Sequence, residues 1–331
     1  MYLKLTLIYI LIIFGTIILS KKFKFYDIPN NRKIHSKPVL NTSGFALYFF
    51  LIFLVSNYEF SFEIEEIISI GFFAFLAGFV DDRINLSAGV KLIGLLFPTI
   101  YLVFKGFYLK DLGLYDNFGL LELGKFSIIF SILAVGLLIN SINYIDGIDG
   151  LLSGISIIIF CYFIFLVKDN KNLEIMFSII LIPLIINLLF NFLSINTSFK
   201  LFFGNSGSLF LGFFISFTMI YLKVFENIHP SLLIWSVCLP VYDFLDVTIS
   251  RLNKKIKFYK ADQRHLHHLL TNQLKFSHLK ASAILCVIQT SVILLGYLIS
   301  KKISPDISLS MFVVLFIVFV LIKKNLQYYK I

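Results

Sequence analysis

The feature that most limits this chain is a succession of apolar runs, each long enough to cross a bilayer. A helical span needs roughly 17–25 predominantly apolar residues. Such runs lie near residues 4–20, 42–57, 64–80, 88–104, 126–142, 150–167, 173–194, 205–222, 230–250, 279–299 and 306–322. Hydrocarbon holds no water to satisfy backbone N–H and C=O groups, so each run must satisfy its own, as a helix does. The expected fold is an all-α polytopic membrane protein with about 11 transmembrane helices, a single integral-membrane domain over residues 1–331. Composition agrees: the chain is 58% hydrophobic and 15% charged, more apolar than a soluble core can absorb. Leu5–Ser20 resembles a secretion signal, but no small-residue cleavage site follows and Lys21, Lys22 and Lys24 close it, so it reads as the first span. Cys161, Cys238 and Cys286 sit in apolar runs, with no spacing that suggests a disulfide or a metal site.

Eleven crossings put the termini on opposite sides, and lysine and arginine choose between the two orientations. With the N-terminus outside and the C-terminus cytoplasmic, 20 of the 29 Lys and Arg fall in inner segments. That excess favours N-out, C-in, because cytoplasmic loops carry the positive charge. The consequence for function is that five polar clusters share the inner face: residues 27–44, 81–91, 140–150, 200–208 and 240–268. The outer segment 105–125 carries turn signals at Asp116-Asn117 and Gly119 and is expected to form a small hairpin.

Asn140–Gly154 joins two apolar runs and concentrates Asn140, Asn143, Asp146 and Asp149 among three glycines. Ionisable groups at such a junction are functional candidates, since hydrocarbon does not solvate them; helix capping is the bland alternative for Asn and Asp. Asp81 and Asp82 are adjacent carboxylates at a span end. Their repulsion suits a divalent cation or a shared proton, whereas a solvated loop neutralised by Arg83 would need neither. Gly204-Asn205-Ser206-Gly207-Ser208 opens the eighth run, where free N–H groups and the helix dipole attract anions, with Lys200 just upstream. An ordinary Ser-capped turn is the alternative. Asp243 and Asp246, three apart, share a helix face. Arg264, His265, His267 and His268 follow in a basic loop. The His-x-His-His run lacks the Cys or Glu that would complete a zinc set, so it suits phosphate; attraction to anionic lipid would explain a basic loop without histidines. Asp27–His35 adds Arg32, Lys33 and His35. Carboxylates for a cation and cations for phosphates point to a phosphorylated ligand handled with Mg²⁺ at the cytoplasmic surface.

In this order on one face, the motifs resemble the polyprenyl-phosphate N-acetylhexosamine-1-phosphate transferases, glycosyltransferase family 4. They are Asp-x-Pro-x-x-Arg-Lys-x-His at 27–35, Asp81-Asp82 with Lys91, and Asn140-x-x-Asn143-x-x-Asp146-Gly-x-Asp149-Gly. Asn191, Gly204–Ser208, Pro240-x-x-Asp243 and His265–His268 complete the series. The His-x-His-His form looks closer to the branch that primes O-antigen and teichoic acid than to the peptidoglycan branch. The resemblance implies an inner-membrane enzyme that moves a sugar 1-phosphate from a UDP-sugar to polyprenyl phosphate and releases UMP, with Mg²⁺, or Mn²⁺ in its place, as cofactor. It implies no nucleic-acid partner and is compatible with a homodimer. Carried over residue by residue, Asp81 is the base for the lipid phosphate and Asp82 supports it or the metal. Asn143 and Asn205 lie at the metal, and Asp146 and Asp149 at the metal or the uridine. Lys91, Asn140, Asn191, Lys200, Asp243, Arg264, His265, His267 and His268 bind substrate.

This chain departs from the family pattern in two places. Asn205 stands where the family usually has Asp, which removes a negative charge from the implied metal site; Asp243 and Asp246 are the nearest candidates by sequence to compensate. Thr42-Ser43-Gly44 stands where a Gly-Gly pair is common. Two rival readings remain. A catalytically impaired member would follow from Asn205 alone. A transporter would place its acids near the midplane on broken helices, whereas here they collect at span ends.

Overall fold

In the computed structural model, which describes residues 1–27, 39–193, 200–255 and 264–328, every expected apolar run is helical. The long helices are α1 (Tyr2–Lys22), α2 (Ser43–Asn57), α3 (Phe62–Ile84), α4 (Ala88–Phe104), α5 (Ser127–Tyr144), α6 (Leu151–Leu166), α7 (Lys171–Leu193) and α8 (Gly204–Val224). A short α9 (Pro230–Leu233) leads through a 3₁₀ turn into α10 (Cys238–Asn253), and α11 (Leu266–Asn272) precedes α12 (His278–Lys302) and α13 (Pro305–Tyr328). Seven helical segments among the described residues are long and apolar enough to cross a membrane, and three more are apolar but shorter. The chain is an all-α polytopic membrane protein.

Helix α8 is the centre of the bundle, with 89% of its apolar window buried. It packs against α2, α3 and α5. With no water to expel between helices in lipid, such contacts depend on close van der Waals packing, which small residues permit. Gly78 of α3 shows the limit: a Cβ there would lie 2.2 Å from the backbone oxygen of Asn205.

The run 230–250 differs from a simple span. Residues 234–237 tighten into 3₁₀ geometry, and the cause is local. Pro240 has no N–H to return to the carbonyl four residues earlier. The Gln289 side chain from α12 fills the gap, donating to Ser236 O at 2.8 Å and Trp235 O at 3.1 Å while accepting from Leu239 N at 3.0 Å. A break at membrane depth is tolerated when neighbouring side chains re-satisfy the backbone in this way.

Two ends are distinguished by their contacts. At one end, β1 (Tyr26–Asp27) pairs antiparallel with β2 (Val39–Asn41), which pairs in parallel with β5 (Leu201–Phe202). Here α3, α5 and α10 finish and α2, α6, α8 and α12 begin. At the other end, β3 (Asp111–Tyr115) and β4 (Gly119–Glu122) form the expected hairpin. Asp306, at the start of α13, accepts the turn amides of Asp116 and Asn117, each at 2.9 Å, and Lys223 pairs with Asp111 at 2.9 Å.

Candidate functional site

The site is built where α3 meets the first turn of α8. Asp82, on the last turn of α3, accepts from Asn205 N at 2.8 Å and Ser206 N at 3.0 Å. A carboxylate on these otherwise unpaired amides meets the positive end of a buried helix. Asn143, on the last turn of α5, donates to Asn205 Oδ1 at 3.1 Å and Ser208 Oγ at 2.7 Å. Three elements far apart in sequence thus bring Asp82, Asn143 and Asn205 together. Asp81, buried beside Asp82, faces elsewhere: it pairs with Lys91 at 2.6 Å and accepts from Leu86 N at 2.9 Å.

The loop after α5 carries Asp146 and Asp149. Asp146 sits in the turn that follows Asn143, its amide donating to Asn143 O at 3.3 Å. Asp149 Oδ2 pairs with Lys200 at 2.6 Å and His278 Nδ1 at 2.9 Å, and Ser282 donates to its backbone oxygen at 2.7 Å. Burial alone would raise the Asp149 carboxyl. The hydrogen bonds and charges of His278 and Lys200 outweigh it and hold the group below the usual carboxylate range. It is therefore ionised at neutral pH.

The histidine segment closes the third side. Asp243 accepts from Leu266 N at 2.9 Å and from His265 Nδ1 at 2.9 Å. The His265 ring stacks on Tyr144, with centroids 4.9 Å apart, and on His267 at 5.8 Å. His268 lies against His267 at 4.3 Å. Gly147 makes room for this approach, since a Cβ there would fall 2.2 Å from His267 Nε2. Burial pushes the His267 imidazole well below its usual value, and His268 beside it adds to the effect. His265 Nε2 and His267 Nε2 are both buried with no hydrogen-bond partner.

Other expected residues are occupied in the scaffold. Asn140 donates back to Gly136 O at 2.7 Å within α5. Asn191 donates to Leu201 O at 2.7 Å and anchors β5. Arg264 reaches Ser250 Oγ at 3.3 Å. Of the 27–35 motif, only Asp27 lies within the described residues. The expectation that Asp243 or Asp246 would make up for the missing charge at Asn205 meets a different arrangement. Both carboxylates are held by Lys323 of α13, at 2.7 Å each. The acid beside Asn205 is Asp82.

His278 and Lys323 were missed as site residues. His278 is followed by a long apolar run and carries no motif, and Lys323 reads as one more inner-side cation. A lysine directly after the last apolar run was the one available signal.

No three His, Cys, Asp or Glu among the described residues form a metal cluster. A hard cation would draw on other oxygens. At Gly204 a Cβ would meet Asp82 Oδ2 at 2.7 Å and the Asn41 amide nitrogen at 3.1 Å. Asn41 Oδ1 is buried there without a partner. Carboxylate and amide oxygens beside one glycine are donor types that Mg²⁺ takes, so the residues fit that ion.

A helical membrane protein that gathers carboxylates, lysines and histidines with unbonded Nε2 atoms at one end has the groups that a phosphorylated ligand would need. The comparisons narrow that reading. The profile of Glycosyl transferase family 4 matches residues 66–223. An undecaprenyl-phosphate alpha-N-acetylglucosaminyl 1-phosphate transferase of Escherichia coli O157:H7 is 26% identical over 258 residues, 76% of this chain and 70% of the relative. The Yersinia pestis protein of the same name is 28% identical over 260 residues, 75% and 70% of the two chains. A Bacillus subtilis (strain 168) protein named probable undecaprenyl-phosphate N-acetylglucosaminyl 1-phosphate transferase is 27% identical over 307 residues, 89% and 81%. Over residues 66–223 the chain is similar to glycosyl transferase family 4, and its named relatives are sugar-1-phosphate transferases.

Proposed function

We propose that the protein transfers an N-acetylhexosamine 1-phosphate from a UDP-sugar to undecaprenyl phosphate at the cytoplasmic face of the plasma membrane. UMP leaves, and the lipid-linked sugar starts a cell-envelope polysaccharide. The observation that carries this reading is the convergence of Asp82, Asn143 and Asn205, with ionised Asp149 and its Lys200 and His278 partners in the loop that follows α5. The relatives' names supply the acceptor, and the excess of inner cations supports eleven crossings with the N-terminus outside.

Both substrates are anions, so positioning and charge neutralisation do most of the catalytic work. Lys91 would exchange its ion pair with Asp81 for the lipid phosphate, and the freed carboxylate would take a proton from it. A phosphate oxygen of the lipid then attacks the β-phosphorus of the donor, and the bond to the UMP oxygen breaks. His265 and His267 offer their Nε2 atoms to the sugar or the diphosphate. Asn143, Asn205 and Asp82 would hold Mg²⁺, which when bound supplies positive charge to the diphosphate.

The test is exchange of radiolabelled UMP into UDP-N-acetylhexosamines by the purified protein with undecaprenyl phosphate and Mg²⁺. Label entering at least one of them is expected. No exchange with any would sink the reading.

The impaired-member alternative rests on Asn205, whose oxygen already accepts from Asn143. Asn205→Asp adds a carboxylate beside Asp82, and a higher ligand charge tightens divalent binding. The variant is expected to reach half-maximal exchange at several-fold lower Mg²⁺. An unchanged Mg²⁺ titration would remove residue 205 from the metal site.

A further inference from the structure

The last helix is an odd place for a buried charge. Only 11% of the apolar window of α13 is buried, yet its Lys323 is 1% exposed. The ammonium lies 2.7 Å from Asp243 Oδ1 and 2.7 Å from Asp246 Oδ2, with the Phe319 ring 5.7 Å away. A helix that otherwise faces lipid thus delivers one cation into the protein.

What the cation touches gives it a role. Asp243 accepts from three donors: Lys323, the Leu266 amide and His265 Nδ1. The first fixes the carboxylate, and the other two fix the start of α11 and the plane of the His265 ring. A carboxylate bonded to one ring nitrogen sets which nitrogen is left for a ligand, here the buried, partnerless Nε2. His267 stacks on the same ring, so its Nε2 is aimed from the same support.

We infer that Lys323 is a positioning residue of the transfer reaction: through Asp243 it holds His265 and His267 with their Nε2 atoms presented to the phosphorylated substrate. The ion pairs by themselves would serve stability alone, and buried pairs are weak evidence even for that. The chain Lys323–Asp243–His265 joins the pair to the site. The inference deepens the proposed function and rests on it for the identity of the substrate.

Two measurements test it on the full-length protein. The first needs no activity: carbethoxylation of histidines by diethyl pyrocarbonate, read residue by residue by mass spectrometry. Lys323→Met is expected to raise the labelling rates of His265 and His267 by about tenfold or more, the scale of a lost native tie, while His278, held by Asp149, labels as before. Unchanged labelling of His265 and His267, or an equal rise at His278, overturns the inference. If Lys323→Met does not accumulate, Lys323→Met with Asp246→Asn removes one of the two stranded carboxylates and serves in its place.

The second is a double-mutant cycle in the UMP exchange assay. Lys323→Met is expected to lower kcat/KM by about tenfold in the wild-type background and less than about twofold in His265→Ala, because residues acting through one another are not additive. Equal losses in both backgrounds overturn the inference. A wild-type protein that exchanges with no donor sinks the functional reading instead, and the labelling result then decides the positioning by itself.

Discussion

Asp82→Ala is expected to lower the transfer rate by about a thousandfold, the range seen when one preorganised electrostatic group is removed from an active site. The carboxylate does two things at once. It accepts the Asn205 and Ser206 amides, two of the donors that the first turn of any helix leaves unpaired. It also supplies the negative charge beside Asn205, where this chain has an amide. Alanine removes both, and leaving a buried amide without a partner costs roughly 1–3 kcal/mol. Asp82→Asn separates the two effects in part: its single oxygen still accepts one of the two amides, which bond to different carboxylate oxygens, its NH2 faces the other, and it carries no charge. Asparagine is expected to keep part of the stability and still lose about a hundredfold in rate. The measurements are kcat for UMP exchange and thermal unfolding in detergent. An alanine variant with a tenth or more of wild-type activity would remove Asp82 from the site.

How far the sequence revealed this site depended on whether the relevant information was local. The helices were legible because hydropathy is a local property and lipid leaves the backbone few choices. The hairpin was legible from Asp116-Asn117 and Gly119, though its anchor, Asp306, was not, since it lies nearly two hundred residues away. Asn143 and Asn205, which the motif resemblance assigns to one metal, lie within hydrogen-bond distance of each other. Asn140, one helical turn before Asn143, is expected from the same resemblance to bind substrate, and its amide donates to Gly136 O of its own helix. Asp243 and Asp246 were expected near Asn205 because they follow it in sequence; Lys323, on a helix beyond the whole histidine segment, holds both instead. Pairings between helix ends are set by how the bundle closes, and no local window contains that. The break at residues 234–237 lies between these cases: Pro240 announces it, and Gln289, which repairs it, cannot be foreseen.

Gly78→Ala is expected to reduce transfer at least a hundredfold and to destabilise the bundle, although the change adds a single methyl group. The new Cβ would lie 2.2 Å from Asn205 O, 2.5 Å from Asn205 C and 2.5 Å from Ser206 Cα. All three are backbone atoms, so no rotamer change relieves the contact and α3 must move away from α8. Overpacking of a tight interior costs roughly 1–3 kcal/mol, and here the displacement falls on the helix that carries the carboxylates. Asp81 and Asp82 lie three and four residues on, one turn along the same helix. Asp82 loses its hold on the α8 amides as the helices part, and a misplacement of about 1 Å is enough to cost on the order of a hundredfold in rate. Gly136→Ala is the control: it is also within a helix, but nothing lies within 4 Å of its added Cβ. That variant is expected to match the wild type in exchange rate and thermal stability. If Gly78→Ala does the same, the direct packing of α3 backbone on the first turn of α8 is not what positions the two aspartates.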